Sequence, residues 1–228
     1  MSGSEKLDPQ SFNAGYFGGG SISHYDTDYE HSSFREAYRA LFVRFARRFL
    51  PLGSGECENL VLDIGAATGN IVEKLGRIPR TRAVGADLSF WALKTGRQSN
   101  PAGRGELVQA YAEELPFPAG TFHHLVSLYV FEHVPRSEKL LAECRRILKP
   151  GGRALIMIDT AKGCDRTHVS IHPRSWWKER FESEGFAELP AWPTALSQIA
   201  DVLPSWQRGH SRLNPALYTG LFLWELKK

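Results

Sequence analysis

Leu60 to Ile64, a run dense in branched apolar side chains, passes straight into the small-residue stretch Gly65-Ala66-Ala67-Thr68-Gly69-Asn70. Few folds accommodate that juxtaposition. The run reads as a strand buried on both faces, as in a parallel sheet, and carries one carboxylate, Asp63, near its end. The small residues let the backbone turn sharply into a helix whose first N–H groups have no partners inside the helix. A ligand lying against such a turn leaves no room for large side chains.

Two ligand classes compete for a strand-turn-helix of this kind. A dinucleotide loop needs glycines spaced G-x-G-x-x-G, and those places hold Gly65, Ala67 and Asn70, so two of the three glycines are missing. An acid does stand roughly 20 residues on, the distance at which a carboxylate meets a ribose. It is Asp87, closing the short strand Ala83-Val84-Gly85-Ala86-Asp87-Leu88. A nicotinamide-dependent oxidoreductase therefore stays open as the alternative.

Together the two segments resemble the cofactor-binding half of class I S-adenosylmethionine-dependent methyltransferases. The resemblance implies that Asp63 ends the first strand, and that Gly65, Ala66, Ala67 and Gly69 pass under the methionine part of S-adenosyl-L-methionine. Asp87, followed by Leu88, then binds the ribose. Tyr111-Ala112-Glu113-Glu114-Leu115-Pro116-Phe117 resembles the family's adenine-side segment, although Tyr111 stands where an acid is usual. A phenol brings no charge, which shifts adenine recognition toward the Ala112 backbone and Glu113. Glu113 also reads as a helix-start charge facing water.

The next strand ends at Ser127-Leu128-Tyr129, which the resemblance places beside the sulfonium, and Phe131-Glu132-His133-Val134 opens the following turn. An amphipathic helix from Leu140 to Leu148, the stop Lys149-Pro150-Gly151-Gly152 and the strand Ala154 to Ile158 complete four matched segments in order. Leu217 to Leu226 is the expected last strand. The implied fold is α/β, a doubly wound, mostly parallel seven-stranded sheet whose last strand runs antiparallel.

Residues 1–50 read as an N-terminal lid segment with a docked helix, and 51–228 as the cofactor-binding domain. Met1 to Ser23 is rich in Gly and Ser without apolar period, and is expected to be mobile until something binds. The aromatic stretch after it supplies Tyr25 and Tyr29 as lid contacts to the cofactor and His31 toward the substrate, or else these rings only staple the next helix to the core. That helix, Ser33 to Phe49, carries Leu41, Phe42 and Phe45 on one face and Arg35, Arg39, Arg44, Arg47 and Arg48 mostly on a solvated other.

On the acceptor side, His168 ahead of the Pro-led helix Ser175 to Glu184 is the candidate base or orienting group, or else caps its loop. His133, just after the fourth strand, is the second candidate, or else only packs at the start of the helix. His123 and His124 point to opposite strand faces and cannot share a metal ion, so no metal is expected. Pro190 to Pro215, with Trp192 and Trp206, either walls a substrate pocket or covers a sheet edge. Arg166, Arg174 and Lys178 suit an anionic acceptor. No Asn-Pro-Pro-aromatic clamp occurs, which disfavours a nucleic-acid base.

Composition agrees with this picture. A net charge of +3 over 228 residues is too slight to mark a nucleic-acid binder, and no apolar run approaches the ~20 residues that span a bilayer. Cys57, Cys144 and Cys164 are too scattered for a disulfide framework, and the start lacks a secretory pattern, so the cytoplasm is the expected compartment. The expectation is methyl transfer from S-adenosyl-L-methionine, leaving S-adenosyl-L-homocysteine, to an oxygen or nitrogen of a small molecule. A regulator that binds the cofactor without turning it over is the other alternative.

Overall fold

Strand β1, Asn59–Ile64, forms where the branched apolar run predicts it and is the third of seven strands in one sheet. The computed structural model describes residues 8–17, 33–54, 58–100, 103, 105–160, 167–190 and 220–228. The other strands are β2 (Thr81–Asp87), β3 (Glu106–Gln109), β4 (Phe122–Leu128), β5 (Leu148–Met157), β6 (Phe186–Glu188) and β7 (Leu221–Leu226). Their order is β3-β2-β1-β4-β5-β7-β6, and β7 alone runs antiparallel to both neighbours. The chain winds outward from β1 through β2 and β3, then returns to lay β4 on the other side of β1. Open sheets bind ligands at such a reversal, beyond the carboxyl ends of the strands.

Alternation along β1 assigns its side chains to two cores. Leu62 and Ile64 pack with α5 (Ser137–Ile147) and α6 (Arg174–Ser183), through Leu140, Cys144, Trp177 and Phe181. Val61 packs on the opposite face with α2 (Ser33–Phe49) and α3 (Asn70–Gly76), through Phe42, Phe45, Val72 and Leu75. Ser89 caps α4 (Phe90–Ser99), its hydroxyl accepting the Ala92 N–H at 3.1 Å. None of the described helices is long and apolar enough to cross a membrane.

Three expectations need correction. Within Met1 to Ser23, a 3-10 turn at Pro9–Phe12 and a short helix α1 at Ala14–Phe17 are folded, with Tyr16 and Phe17 buried against Ala67 and Ala92. The Ser89 hydroxyl also donates to the Phe12 carbonyl, so the cap of α4 anchors this segment. Arg39 is 5 % exposed rather than solvated, whereas Arg44, Arg47 and Arg48 are exposed. Lys149-Pro150-Gly151-Gly152 lies inside β5, because pairing with β4 begins at Leu148 and shifts register before Arg153. The Pro190 to Pro215 insertion lies, except for its first residue, outside the described residues, as do Cys57, Cys164 and Arg166.

The two strand histidines behave as framework residues. His123 Nδ1 accepts the Leu60 N–H at 3.0 Å, and its Nε2 lies 2.8 Å from Lys149 Nζ. His124 is buried, and burial, helped by His123 and Arg153, lowers its pKa to about 4. An imidazole buried neutral stabilises the fold fully above its unfolded pKa near ~6.5, and that contribution fades as pH falls toward 4. The expected loss is about 3 kcal/mol between those limits. Denaturant titrations of His124→Gln at several pH values should show this slope removed; an unchanged slope contradicts the assignment.

Candidate functional site

The turn after β1 folds back over β2. The Gly65 and Ala66 N–H groups both donate to the Ala86 carbonyl, at 2.8 and 3.1 Å. Three of its residues take positive φ, Gly65 at 77°, Ala67 at 48° and Gly69 at 82°. Small or absent side chains make that course possible. Asp87, at the end of β2, holds the turn through Oδ2, which accepts the Ala67 N–H at 2.7 Å, while Oδ1 accepts the Ser89 N–H at 2.7 Å. Each carboxylate oxygen retains a second acceptor position.

A cavity of about 330 Å³ opens above this turn, within the size range of small-molecule sites. Gly65, Ala67, Asp87 and Leu88 line one part of it, Tyr111, Ala112 and Glu113 another. Leu128, Tyr129 and His133 line it from the β4 side. These ten expected residues meet in one space although they come from four separate stretches of chain. Glu113 is not a water-facing charge: it is 4 % exposed and its Oε1 accepts from Arg136 Nε at 3.1 Å.

Five expected residues do not line the cavity. Ala66 is packed beneath the turn, and Gly69 faces the opposite cleft, where an added Cβ would stand 3.0 Å from Leu107. Ser127 spends its hydroxyl on the Ile64 carbonyl at 2.9 Å, a link between strands. Asp63 sits in the sheet behind the turn, 1 % exposed. His168 stands behind His133, ring against edge with centroids 4.6 Å apart. Tyr25, Tyr29 and His31 lie outside the described residues.

The structure adds lining residues that sequence reasoning missed. Phe12, Tyr16 and Phe17 from the folded N-terminal segment close one side, and Tyr38 and Arg39 on α2 close another. The Phe12–Tyr16 spacing of four was the available signal, too short a stretch to show a period. Tyr38 and Tyr129 share a hydrogen bond of 2.8 Å between their hydroxyls, and Tyr129 holds a strained φ of 56°. Burial and the neighbouring Tyr38 hold the Tyr129 phenol well above its ordinary pKa, so it stays neutral.

The electrostatics favour a cation. Burial pushes the Asp63 carboxyl well up, with Asp87 adding to the shift, and neither Asp63 oxygen has a hydrogen-bond partner among the described residues. Burial also raises Asp87, against its two backbone N–H bonds. Two buried carboxyls behind and beside the turn suit a ligand bearing positive charge, as S-adenosyl-L-methionine does at its sulfonium and ammonium. The cavity volume, the small-residue floor and the two open acceptor positions of Asp87 fit that cofactor.

Residues 62–156 match the family described as "Methyltransferase domain". The ubiquinone/menaquinone biosynthesis C-methyltransferase UbiE of Stutzerimonas stutzeri (strain A1501) is 36 % identical over 121 residues, 50 % of this chain and 47 % of that protein. Its counterpart from Pseudomonas putida (strain GB-1) is 37 % identical over 123 residues, 51 % of this chain and 47 % of its own length. The chain thus spans about half the length of the curated relatives it matches. Among solved structures, a putative sarcosine dimethylglycine methyltransferase from Galdieria sulphuraria superposes with a TM-score of 0.62 at 18 % identity, covering 87 % of this chain and 88 % of that one. The [4+2]-cyclase SpnF superposes at 0.61, also at 18 % identity, covering 86 % of this chain and 83 % of that one. Sheet order, turn and domain match agree: residues 62–156 are similar to the methyltransferase domain, and the sheet is that of the class I S-adenosylmethionine-dependent methyltransferase fold.

Proposed function

We propose that the protein transfers the methyl group of S-adenosyl-L-methionine to an oxygen or nitrogen of a small-molecule acceptor. The observation that carries this reading is that one cavity is lined both by the cofactor turn with Asp87 and by His133. Groups suited to the cofactor and a group suited to an acceptor therefore share one space. Fold alone does not carry it, since SpnF is a cyclase on the same architecture.

When bound, S-adenosyl-L-methionine supplies a methyl group on a sulfonium, whose C–S bond breaks with its electron pair passing to sulfur as the acceptor bond forms. The chain's residues hold and enclose the partners. Asp87 takes the ribose hydroxyls, and Tyr111 and Ala112 flank the adenine. Leu128 and Tyr129 border the sulfonium. His133 faces the acceptor, with His168 behind it, and Tyr16 and Phe17 help exclude water.

Arg39 is the one guanidinium in the lining among the described residues, and it takes the methionine carboxylate. A charge-assisted hydrogen bond of this kind contributes about 1.5–3 kcal/mol. Arg39→Met should therefore weaken S-adenosyl-L-methionine binding about 30-fold while leaving 5′-methylthioadenosine, which has no carboxylate, unchanged. Equal losses for both compounds would remove Arg39 from that role.

A carbon acceptor is the second reading, favoured by relatives named C-methyltransferases. Incubation with methyl-labelled cofactor and a small-molecule extract, followed by mass spectrometry and NMR of the labelled product, decides between them. Label in a low-mass product supports transfer, and the methyl chemical shift tells carbon from oxygen or nitrogen. Cofactor binding with no labelled product from any extract would leave a binding protein only.

A further inference from the structure

Two imidazoles and a buried carboxylate converge at the β4 side of the cavity. Glu132 and His133 lie in the 3-10 turn Phe131–His133, and His168 arrives on the loop before α6. That loop is strapped to the turn: the Ser170 N–H donates to the Glu132 carbonyl at 2.9 Å, and Ser170 and Ser137 share a hydrogen bond of 2.7 Å between hydroxyls. One donor atom each from Glu132, His133 and His168 lie within 4.8 Å of one another. We propose that these three residues form a binding site for a divalent transition cation, of the zinc or manganese class, beside the acceptor end of the cavity.

Three observations carry the assignment. His133 Nδ1 lies 3.1 Å from the Thr167 carbonyl and 2.9 Å from its hydroxyl. A carbonyl only accepts, so Nδ1 carries the proton and Nε2 carries the electron pair a metal takes. Imidazole backed by a carbonyl is the arrangement found behind metal-ligating histidines. Secondly, His168 Nδ1 is buried without a hydrogen-bond partner among the described residues, and Asp159 Oδ2 stands 3.7 Å from it. Thirdly, Glu132 is wholly buried, so two carboxylates and two imidazoles gather where a divalent charge offsets the repulsion.

The donor set selects the ion. Two nitrogens and one carboxylate suit borderline transition metals over magnesium or calcium, which prefer all-oxygen shells. Two ligands at about 2.1 Å from one ion lie no more than about 4.2 Å apart, so the cluster closes by small side-chain rotations. Three protein ligands leave a coordination position open. His133 lines the cavity, and the open position holds an ionised oxygen of the acceptor. That last placement rests on the proposed methyl transfer, whereas the metal site itself does not.

The purified full chain, stripped with a chelator, is titrated with cobalt(II) as a spectroscopic probe and back-titrated with zinc(II). The expected result is one equivalent of cobalt with visible d–d bands that zinc displaces. His168→Ala should weaken binding at least about 10-fold, and His172→Ala, a histidine on the neighbouring surface, should not. Glu132→Gln should also lose affinity, but its burial can disturb folding, so the more accessible His168 decides. No band at millimolar cobalt, or a His168→Ala variant that binds as the wild type does, overturns the proposal. S-adenosyl-L-methionine affinity measured on the same samples reports folding and separates the two claims. Cofactor binding without cobalt binding defeats the metal site alone; cobalt binding without cofactor binding upholds the metal site and defeats the methyl-transfer reading.

Discussion

Asp87→Ala is expected to lower the affinity for S-adenosyl-L-methionine about 1,000-fold. Each carboxylate oxygen already accepts one backbone N–H, from Ala67 and from Ser89. The position left on each can accept one ribose hydroxyl. Two hydrogen bonds to a charged acceptor contribute about 4 kcal/mol together, which converts to that factor. Asp87→Asn keeps one acceptor oxygen and should fall between the wild type and the alanine variant. S-adenosyl-L-homocysteine carries the same ribose and should lose affinity by the same factor. A variant that loses the sulfonium compound but keeps its demethylated product would move Asp87 from the ribose to the sulfonium.

Gly65→Ala should destabilise the protein by about 3–5 kcal/mol and abolish cofactor binding with it. Gly65 holds φ at 77°, where a side chain is strained, and a Cβ there would stand 2.1 Å from Val130 Cγ2. Val130 precedes the turn that carries Glu132 and His133, so relieving the overlap shifts the acceptor side of the cavity as well. Denaturant unfolding measures the loss directly. Adding Val130→Ala should recover the overlap portion but not the φ strain. Gly65→Ala with wild-type stability would mean that the turn follows another course.

The parts of the fold legible in the sequence were those fixed by local chemistry. Leu60 to Ile64 read as a strand buried on both faces, and the small residues after it as a sharp turn into a helix. The resemblance then supplied the seven-stranded, mostly parallel sheet and the antiparallel last strand, which no local pattern specifies. In the site, Asp87 was visible from its position at a strand end, and the structure places it on the cavity. Arg39 was misjudged because it lies on the opposite flank of α2 from Arg44 and Arg48, and that flank meets the cavity rather than solvent. Helical periodicity reports a face, and says nothing of what covers it one turn further on.

Pro9–Phe12 and Ala14–Phe17 were too short to register as elements, and their order comes from tertiary anchors at Ser89 and Trp91. The water-facing alternative for Glu113 fails because its partner Arg136 arrives from a distant loop. The Glu132, His133 and His168 cluster was invisible because His168 is far in sequence from the adjacent pair Glu132 and His133 and joins it only when the Thr167–Ser170 loop straps onto the turn after β4. Convergence of this kind needs the fold.

The most direct trial is calorimetric titration of the purified chain with S-adenosyl-L-methionine, S-adenosyl-L-homocysteine and NADH in parallel. Saturable one-to-one binding of the first two, lost in Asp87→Ala, with no heat from the dinucleotide, is the predicted result. Binding of NADH with no response to either adenosyl compound would contradict the assignment of the turn after β1.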